Sequence, residues 1–496
     1  MKAKKLALLF LSVLLVLSIL PMSALAASRT LTVGAQADIQ VTNAVENDQL
    51  AAYKIIDTTY DEATNTLTHE WNSDFEDYFA GTSYSTVEAF SALTDESAEL
   101  KALLADLPQY IEDNSIAAVD TQTVAAGGTA TFADLAMGEY FILPSASTSV
   151  YQLMLQKVQP TAPASSSDPY TIDDVTFAAK HREVNITKVA DKTSVTKTEK
   201  VTYTITVDIP TYAAQATDKS FYVADLLPDG LTIDTGSIKV ARNGTDITSA
   251  AGTQYTLDTT ATDDYTFKLS VSKDQYAASW SANGGKQLVI TYTATLNDND
   301  TTEVNTKETN TVTFDYSNYP YVENSHAQKT DTVDVTTFAI KIDKYVDGNE
   351  STKLAGAKFD LYRTATQAEI DAGTAVTIPH TSVNGIKLES GLITDADGAA
   401  TFAKYEANGT NYDYYLVETQ APSGYNLLDN AVKVNFADTD VAATAGVYTV
   451  KVPNSSGIQL PITGGTGTVI FTVIGIALMV GAVVLFVVSR KRSKEK

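Results

Sequence analysis

The sequence contains no cysteine, and only four histidines and two tryptophans among its 496 residues. Without thiols there are neither disulfides nor thiolate chemistry, so any covalent reinforcement of an exported fold must come from other side chains. Four histidines and no cysteine leave little for a transition-metal site, and no metal or cofactor is expected. Basic residues are scarce as well: Lys and Arg total 35 against 60 Asp and Glu, a net charge of −25. That balance argues against nucleic acid and anionic membrane surfaces as partners, and for a soluble, self-repelling exterior. No Ser/His/Asp set and no glycine-rich phosphate loop stands out, which makes an enzyme acting on external substrates the weakest class.

Long apolar runs are confined to the two ends. Lys2, Lys4 and Lys5 precede the stretch Leu6 to Leu20, and Ala24-Leu25-Ala26 offers small residues where a signal peptidase would cut, so the mature chain would begin at Ala27. The run is short and ends in a cleavage-like site, which favours a signal peptide over a membrane span. At the other end, Val469 to Val488 is long enough to cross the hydrocarbon core as a helix. The Arg490-Lys491-Arg492-Ser493-Lys494 cluster behind it would stay in the cytoplasm, leaving everything before the span outside. Directly ahead of the span stands Leu460-Pro461-Ile462-Thr463-Gly464. Pentapeptide, span and basic tail, in that order, resemble the cell-wall sorting signal of Gram-positive surface proteins. The resemblance implies cleavage between Thr463 and Gly464, with transfer of the Thr463 carboxyl to an amine.

Between the signals, alternation of apolar and polar residues (Leu31, Val33; Ile39, Val41) and recurrent Thr, Val and Tyr predict strands. The exception is Thr86 to Glu112, where Val87, Phe90, Leu93, Leu100, Leu103, Leu104 and Leu107 recur at helical spacing until Pro108. Pro160 to Pro169 reads as a loop, after which Ile172, Val175 and Phe177 resume a strand pattern. A second strand block runs from Val184 to about Val335 and a third from Phe338 to Asn454, each of a size suited to a β-sandwich. The expected organisation is a signal peptide at 1–26, an N-terminal domain at 27–180, a middle domain at 181–335, a third domain at 336–456 and the sorting signal at 457–496. The expected fold class is all-β, sandwiches of immunoglobulin-like and Cna type in tandem, with a helical insert in the first. Asp298, Asn299 and Asp300 could ligate calcium, but a run of Asp and Asn is ordinary turn chemistry.

Two lysines occupy apolar positions. In Val184-Asn185-Ile186-Thr187-Lys188, period-2 alternation puts Lys188 on the inward face with Val184 and Ile186. In Phe338-Ala339-Ile340-Lys341-Ile342-Asp343-Lys344, Lys344 shares the inward face with Phe338, Ile340 and Ile342, while Lys341 and Asp343 face water. A buried ammonium is unfavourable by several kcal/mol unless paired, so such a lysine should lose its proton or react, or else lie at a strand end and snorkel to solvent. Downstream, Glu418 shares a strand with Leu416, and Val450-Lys451-Val452-Pro453-Asn454 ends the third block with Val450, Val452 and Asn454 on one face.

Lysine on a first strand, glutamate inside and asparagine on the last strand resemble the Cna B-type domain of Gram-positive surface proteins, as does Leu354-Ala355-Gly356-Ala357-Lys358-Phe359-Asp360-Leu361-Tyr362. The second block resembles the isopeptide-forming middle domain of fimbrial subunits. The matching segments are Val201-Thr202-Tyr203-Thr204-Ile205, Val223-Ala224-Asp225-Leu226-Leu227-Pro228-Asp229-Gly230-Leu231 and Asn310-Thr311-Val312-Thr313-Phe314-Asp315-Tyr316-Ser317-Asn318. The resemblance implies two triads, Lys188, Asp225, Asn310 and Lys344, Glu418, Asn454. In each, the desolvated amine would attack the asparagine carboxamide while the acid moves protons, and folding supplies the proximity. By analogy with disulfide loop closure, each bond would remove unfolded-state entropy worth roughly 5 kcal/mol.

In the first block, Leu135-Ala136-Met137-Gly138-Glu139-Tyr140-Phe141-Ile142 is similar to a strand of fimbrial N-terminal domains. It offers no clear lysine, acid and asparagine set: Lys54 and Glu139 are conceivable members, but surface positions are expected for both. Asp174-Val175-Thr176-Phe177-Ala178-Ala179-Lys180-His181 partly resembles the pilin motif whose lysine accepts the sortase-bound subunit, with Ala178-Ala179 in place of the motif's Tyr-Pro. Lys180 is the expected acceptor, pointing outward, and Lys157 its rival. The whole resembles a sortase-assembled Gram-positive shaft pilin. That implies pilus-specific and housekeeping sortases, other copies of the chain, minor pilins, peptidoglycan and host surface ligands as partners. A wall-anchored monomeric adhesin or basal minor pilin is the alternative.

Overall fold

The computed structural model describes residues 29–94, 97–162, 170–197, 199–297, 307–406, 412–436, 446–456 and 466–492. The signal-peptide region, the segment Asp298-Asn299-Asp300 and the sorting residues Leu460, Pro461, Thr463 and Gly464 lie outside them. Strands dominate, as the Thr-, Val- and Tyr-rich alternation requires.

In the first block, strands Thr66–Trp71, Gln49–Asp61, Gly138–Ala146 and Met154–Val158 form one sheet in that order, and Val175–Ala178, Gln36–Thr42 and Ala130–Ala136 form another. Ile39, Val41, Leu50, Phe132, Tyr140 and Ile142 fill the space between them. The outer face of the first sheet is covered by the helical insert, where Phe79, Phe90, Leu104, Leu107 and Ile111 meet Ile55, Ile56, Phe141 and Leu143.

The insert departs from expectation in two ways. It is split into Val87–Ser91 and Ala98–Asp113, each started by a hydroxyl cap: Thr86 accepts from the Ala89 amide and Ser97 from the Leu100 amide. And Pro108 does not stop the second helix, which continues to Asp113. Proline removes one ladder bond. Buried Leu104, Leu107, Pro108 and Ile111 pin this stretch to the sheet, and that packing outweighs the loss.

The second block is a sandwich of two five-stranded sheets. One runs Ile186–Ala190, Lys200–Asp208, Gln287–Leu296, Leu231–Arg242, Thr245–Asp246; the other runs Thr256–Asp258, Phe267–Val271, Phe221–Leu226, Lys307–Ser317, His326–Thr336. In the third block, Phe338–Val346 pairs with Asn349–Lys353, with Ala399–Tyr405 and, in parallel, with Val447–Asn454. A five-stranded sheet centred on Lys358–Thr364 packs opposite. The C-terminal helix Thr466–Arg492 carries the apolar stretch Phe471–Val488, long enough to cross a membrane.

The blocks are tied to one another by specific contacts. Tyr319, Tyr321 and Val322 of the second block join the helix-covered core of the first, and the Glu323 amide donates to Gln109 Oε1 at 3.0 Å. Between second and third blocks, the Lys197 amide donates to the Lys404 carbonyl at 2.9 Å and Lys197 Nζ to Glu389 Oε2 at 3.0 Å. The 319–325 segment ends at His326, whose ring lies between Asp218 (3.1 Å) and Asp315 and is 24% exposed. The Asp218 hydrogen bond, then that of Asp315, raise its pKa from 6.5 to about 9.

A basic group raised in this way stabilises the fold fully below its unfolded pKa and loses that contribution as pH climbs through the folded value. Here the amount is about 3 kcal/mol, lost between roughly pH 6.5 and 9. Melting temperature should therefore fall more steeply from pH 6.5 to 10 in the wild type than in His326→Gln; parallel slopes would reject the assignment.

Candidate functional site

Three groups of residues combine unusual burial or exposure with reactive chemistry. In the third block, Lys344 stands near the end of Phe338–Val346, in register with Val452 of the parallel strand, two residues before Asn454. The backbone is held on both sides: the Gly398 carbonyl accepts from the Lys344 amide at 2.8 Å, and the Lys344 carbonyl accepts from the Leu354 amide at 3.0 Å. A Cβ at Gly398 would come within 2.2 Å of the Lys344 carbonyl, and its φ is +70°, so only glycine suits this crossing.

The Lys344 and Glu418 side chains are fully buried, with Nζ 3.2 Å from Oε1. Lys344 Nζ also donates to Asn454 Oδ1. Asn454 Nδ2 donates to both Glu418 oxygens, at 3.1 and 3.2 Å, and to the Asn426 carbonyl at 2.9 Å. The Leu428 amide donates to Glu418 Oε2 at 2.9 Å, which fixes the carboxyl from the far side. Burial pushes the Lys344 amine down to about 8 against the opposing pull of Glu418. Amine, acid and carboxamide are thus mutually in contact in a dry core, with the amine shifted toward its neutral form.

The middle block brings together Lys188 of Ile186–Ala190, Asp225 of Phe221–Leu226 and Asn310 of Lys307–Ser317, from both sheets of the sandwich. Lys188 Nζ donates to Asp225 Oδ2, and both side chains are fully buried. Burial lowers the lysine pKa and raises that of the aspartate, each opposed by the partner's charge, so both groups are drawn toward their neutral forms. A residue that sequence reasoning did not single out joins them: Tyr292 of Gln287–Leu296, whose hydroxyl contacts all three. Its inward parity with Leu288, Ile290 and Ala294 was the available signal.

The first block differs from expectation. Glu139 is buried, not at the surface, and lies 2.6 Å from Lys157 Nζ. The reason is its place on the central strand Gly138–Ala146, directly opposite Lys157 in register, on the face shared with Phe141 that the helices cover. Lys54 pairs with Asp57 at 2.6 Å, and Asn72 Nδ2 donates to the same carboxylate at 2.9 Å. Lys54, Asp57 and Asn72 are therefore in contact, but Asp57 is 39% exposed, so the site lacks the dryness of the other two.

Lys180 follows the strand Val175–Ala178, which pairs in parallel with Gln36–Thr42. Its carbonyl accepts from the Gln152 amide at 2.9 Å, and Asn43 Nδ2 donates to the Ala179 carbonyl at 2.9 Å. With Ala179 buried and the backbone held on both sides, Lys180 itself is exposed. It borders a cavity of about 330 Å³ lined by Leu100, Leu104, Leu153, Leu155 and Phe177.

Residues 338–449 match the prealbumin-like fold domain SpaA, and residues 452–495 match the LPXTG cell wall anchor motif. Fimbrial subunit type 1 of Actinomyces viscosus is 28% identical over 347 residues, covering 62% of this chain and 64% of the relative, so the chain spans just under two thirds of that protein. The T6 backbone pilin of Streptococcus pyogenes serotype M6, described as a modular three-domain structure, is similar with a TM-score of 0.61 at 17% identity, covering 85% of this chain and 99% of that one. The major pilin SpaA of Corynebacterium diphtheriae, described as pointing to a modular pilus assembly with stabilizing isopeptide bonds, gives 0.52 at 19% identity, covering 85% and 100%. At these identities the two structures show the shared fold. The chain is thus similar to a prealbumin-like domain over its third block, to a cell wall anchor segment at its C-terminal end and to a fimbrial subunit over most of its length.

The two acceptor candidates are physically distinct: Lys157 is half-buried and neutralises a buried carboxylate, whereas Lys180 is exposed. Lys157→Ala should destabilise the fold by about 1–3 kcal/mol, discounted for the partial exposure of the amine. Lys180→Ala should change stability by less than about 0.5 kcal/mol. Denaturant unfolding of the two variants measures both; equal effects would remove the distinction.

Proposed function

We propose that the chain is the structural shaft subunit of a covalently polymerised Gram-positive pilus, each copy joined through Thr463 to Lys180 of the next. The observation that carries this reading is the pairing, in one chain, of a wall-anchor sorting segment at 452–495 with an exposed, backbone-held lysine at the end of the first block. The signal supplies an acyl donor and Lys180 a nucleophile that a sortase acyl-enzyme could reach. Lys188 and Lys344, the other lysines marked by the sequence, have side chains with no solvent access and are unsuited to that role. Pilus-specific and housekeeping sortases, further copies of the chain, minor pilins and peptidoglycan are the corresponding partners, and the similar proteins include a fimbrial subunit and a backbone pilin.

Within each subunit, Lys188 would be joined to Asn310 and Lys344 to Asn454 by amide bonds that the chain makes itself. Asp225 and Glu418 serve as the proton-transferring acids. What supports this is the burial of both triads, the contact of each acid with its lysine and the neutral-favouring shifts of the amines. Each bond forms one C–N link and releases one ammonia.

The intact mass should therefore fall below the sequence mass by about 17 Da per bond, about 34 Da in all. Glu418→Ala should restore one such increment and lower the melting temperature; a wild-type mass equal to that of the processed sequence would exclude both bonds. Polymerisation has its own test. In cells with the cognate pilus sortase, Lys180→Arg keeps the charge but offers no usable amine. It should abolish the high-mass ladder in cell-wall extracts while leaving monomer exported and anchored, and Lys157→Arg should leave the ladder intact. Reversal of the two results would make Lys157 the acceptor. Absence of a ladder in the wild type would replace the shaft reading by an anchored monomeric adhesin or basal subunit.

A further inference from the structure

The two buried clusters solve the same geometric problem differently. Glu418 touches its lysine at 3.2 Å and its asparagine at 3.1 and 3.2 Å. Asp225 is one methylene shorter. It contacts Lys188, but among the described residues no hydrogen bond joins it to Asn310. The gap is spanned by the Tyr292 hydroxyl, which lies 3.0 Å from Lys188 Nζ, 2.8 Å from Asp225 Oδ1 and 2.7 Å from Asn310 Nδ2. One O–H and two lone pairs meet three partners, which fills the capacity of a hydroxyl. The ring is held by Tyr203, stacked at 5.3 Å, and by Phe267, edge-on at 5.2 Å. Asn310 Oδ1, where charge would build during attack, is buried and has no hydrogen-bond partner among the described residues.

We propose that Tyr292 is a catalytic residue of amide formation in the middle block, relaying a proton from Asp225 to the departing nitrogen of Asn310. This rests on the reading that Lys188 and Asn310 become linked. Starting from a neutral amine and a protonated acid, Lys188 Nζ attacks Asn310 Cγ and gives one proton to Asp225 Oδ2. Asp225 releases its own proton from Oδ1 to the Tyr292 oxygen, and Tyr292 passes its hydroxyl proton to Nδ2. One C–N bond forms, another breaks, ammonia leaves with the transferred proton, and acid and phenol end as they began. No external reactant is needed. Burial raises the Tyr292 pKa, so the hydroxyl holds its proton until the tetrahedral nitrogen becomes basic enough to take it.

The experiment is cell-free synthesis of the full chain, sampled over time, with mass spectrometry of the peptides that join Lys188 to Asn310 and Lys344 to Asn454. Tyr292→Phe keeps the ring and removes only the hydroxyl. It should slow the middle link by roughly 10²-fold or more, while the Lys344–Asn454 link forms at the wild-type rate. Tyr255→Phe, which removes another buried hydroxyl of the same core, bonded to the Thr248 carbonyl, should leave both rates unchanged. A wild-type rate for the middle link in Tyr292→Phe overturns the relay while the linked-residue reading stands. A wild-type chain that never yields the Lys188–Asn310 peptide removes that reading and the relay with it. If Tyr292→Phe fails to fold, judged by protease sensitivity of the middle block, the double variant Tyr292→Phe with Asp225→Glu decides. Its longer carboxyl should reach the carboxamide as Glu418 does and restore the link, and a folded double variant that stays unlinked overturns the proposal.

Discussion

The amine of a lysine side chain placed where water cannot reach it is the constraint on which the rest of this molecule turns. An isolated ammonium in such a place is unfavourable by several kcal/mol, and three responses are open to it: ion pairing, loss of the proton or reaction. Both buried clusters combine the first two, with a carboxyl in contact and a depressed amine pKa. Each also holds a carboxamide that could take the third. A buried ion pair alone is weak evidence of stability, since apolar residues of the same volume often do as well. Retaining two such sets in a chain free of cysteine is better explained if they end as amides, which carry no charge to desolvate.

Strand topology is what makes the clusters possible. In the third block the parallel pairing of Phe338–Val346 with Val447–Asn454 sets Lys344 beside the end of the last described strand, and Glu418 enters from the opposite sheet. In the middle block the lysine belongs to one sheet and the acid and asparagine to the other, so the cluster bridges the sandwich. Amine and acid approach from different faces of the core, and neither can relax toward solvent without opening it.

Much of this was legible from the sequence because a strand's period of two converts position into face. Lys188 shares burial with Val184, and Lys344 with Ile340 and Ile342, while Lys341 is exposed. Where the pattern was misread, longer-range packing intervened. Glu139 looked like a surface residue because carboxylates usually are; its burial follows from a helical layer supplied by residues some thirty to sixty positions earlier, which one strand cannot reveal. Pro108 lies inside a helix against local propensity, which the sheet contact of its neighbours overrides. Tyr292 passed unnoticed because an inward tyrosine among Leu288, Ile290 and Ala294 is ordinary core chemistry. Only the three distances at its hydroxyl distinguish it.

If the proposed bonds form, their placement determines how a pulled subunit would bear load. Force entering at Lys180 reaches Ile186–Ala190 within a few residues, and with the proposed bonds in place it crosses from Lys188 to Asn310. Residues 189–309, most of the middle sandwich, are then bypassed. The load continues through Lys307–Ser317 and His326–Thr336 into Phe338–Val346, crosses from Lys344 to Asn454 and leaves toward Thr463, bypassing residues 345–453 as well. What remains in series is the first-strand segment before each lysine and the hairpin of Lys307–Ser317 with His326–Thr336, whose register is continuous over its full length. Load enters that hairpin at Asn310 and leaves past Thr336, at the same open end, so it pulls the two strands apart pair by pair. The loop at the far end is docked on the first block through Tyr319, Tyr321 and Val322 and closed by His326 between two aspartates. The weakest part of the loaded path is therefore not a sandwich core but this segment. It is held by packing, hydrogen bonds and one charged histidine, and not by a covalent bond.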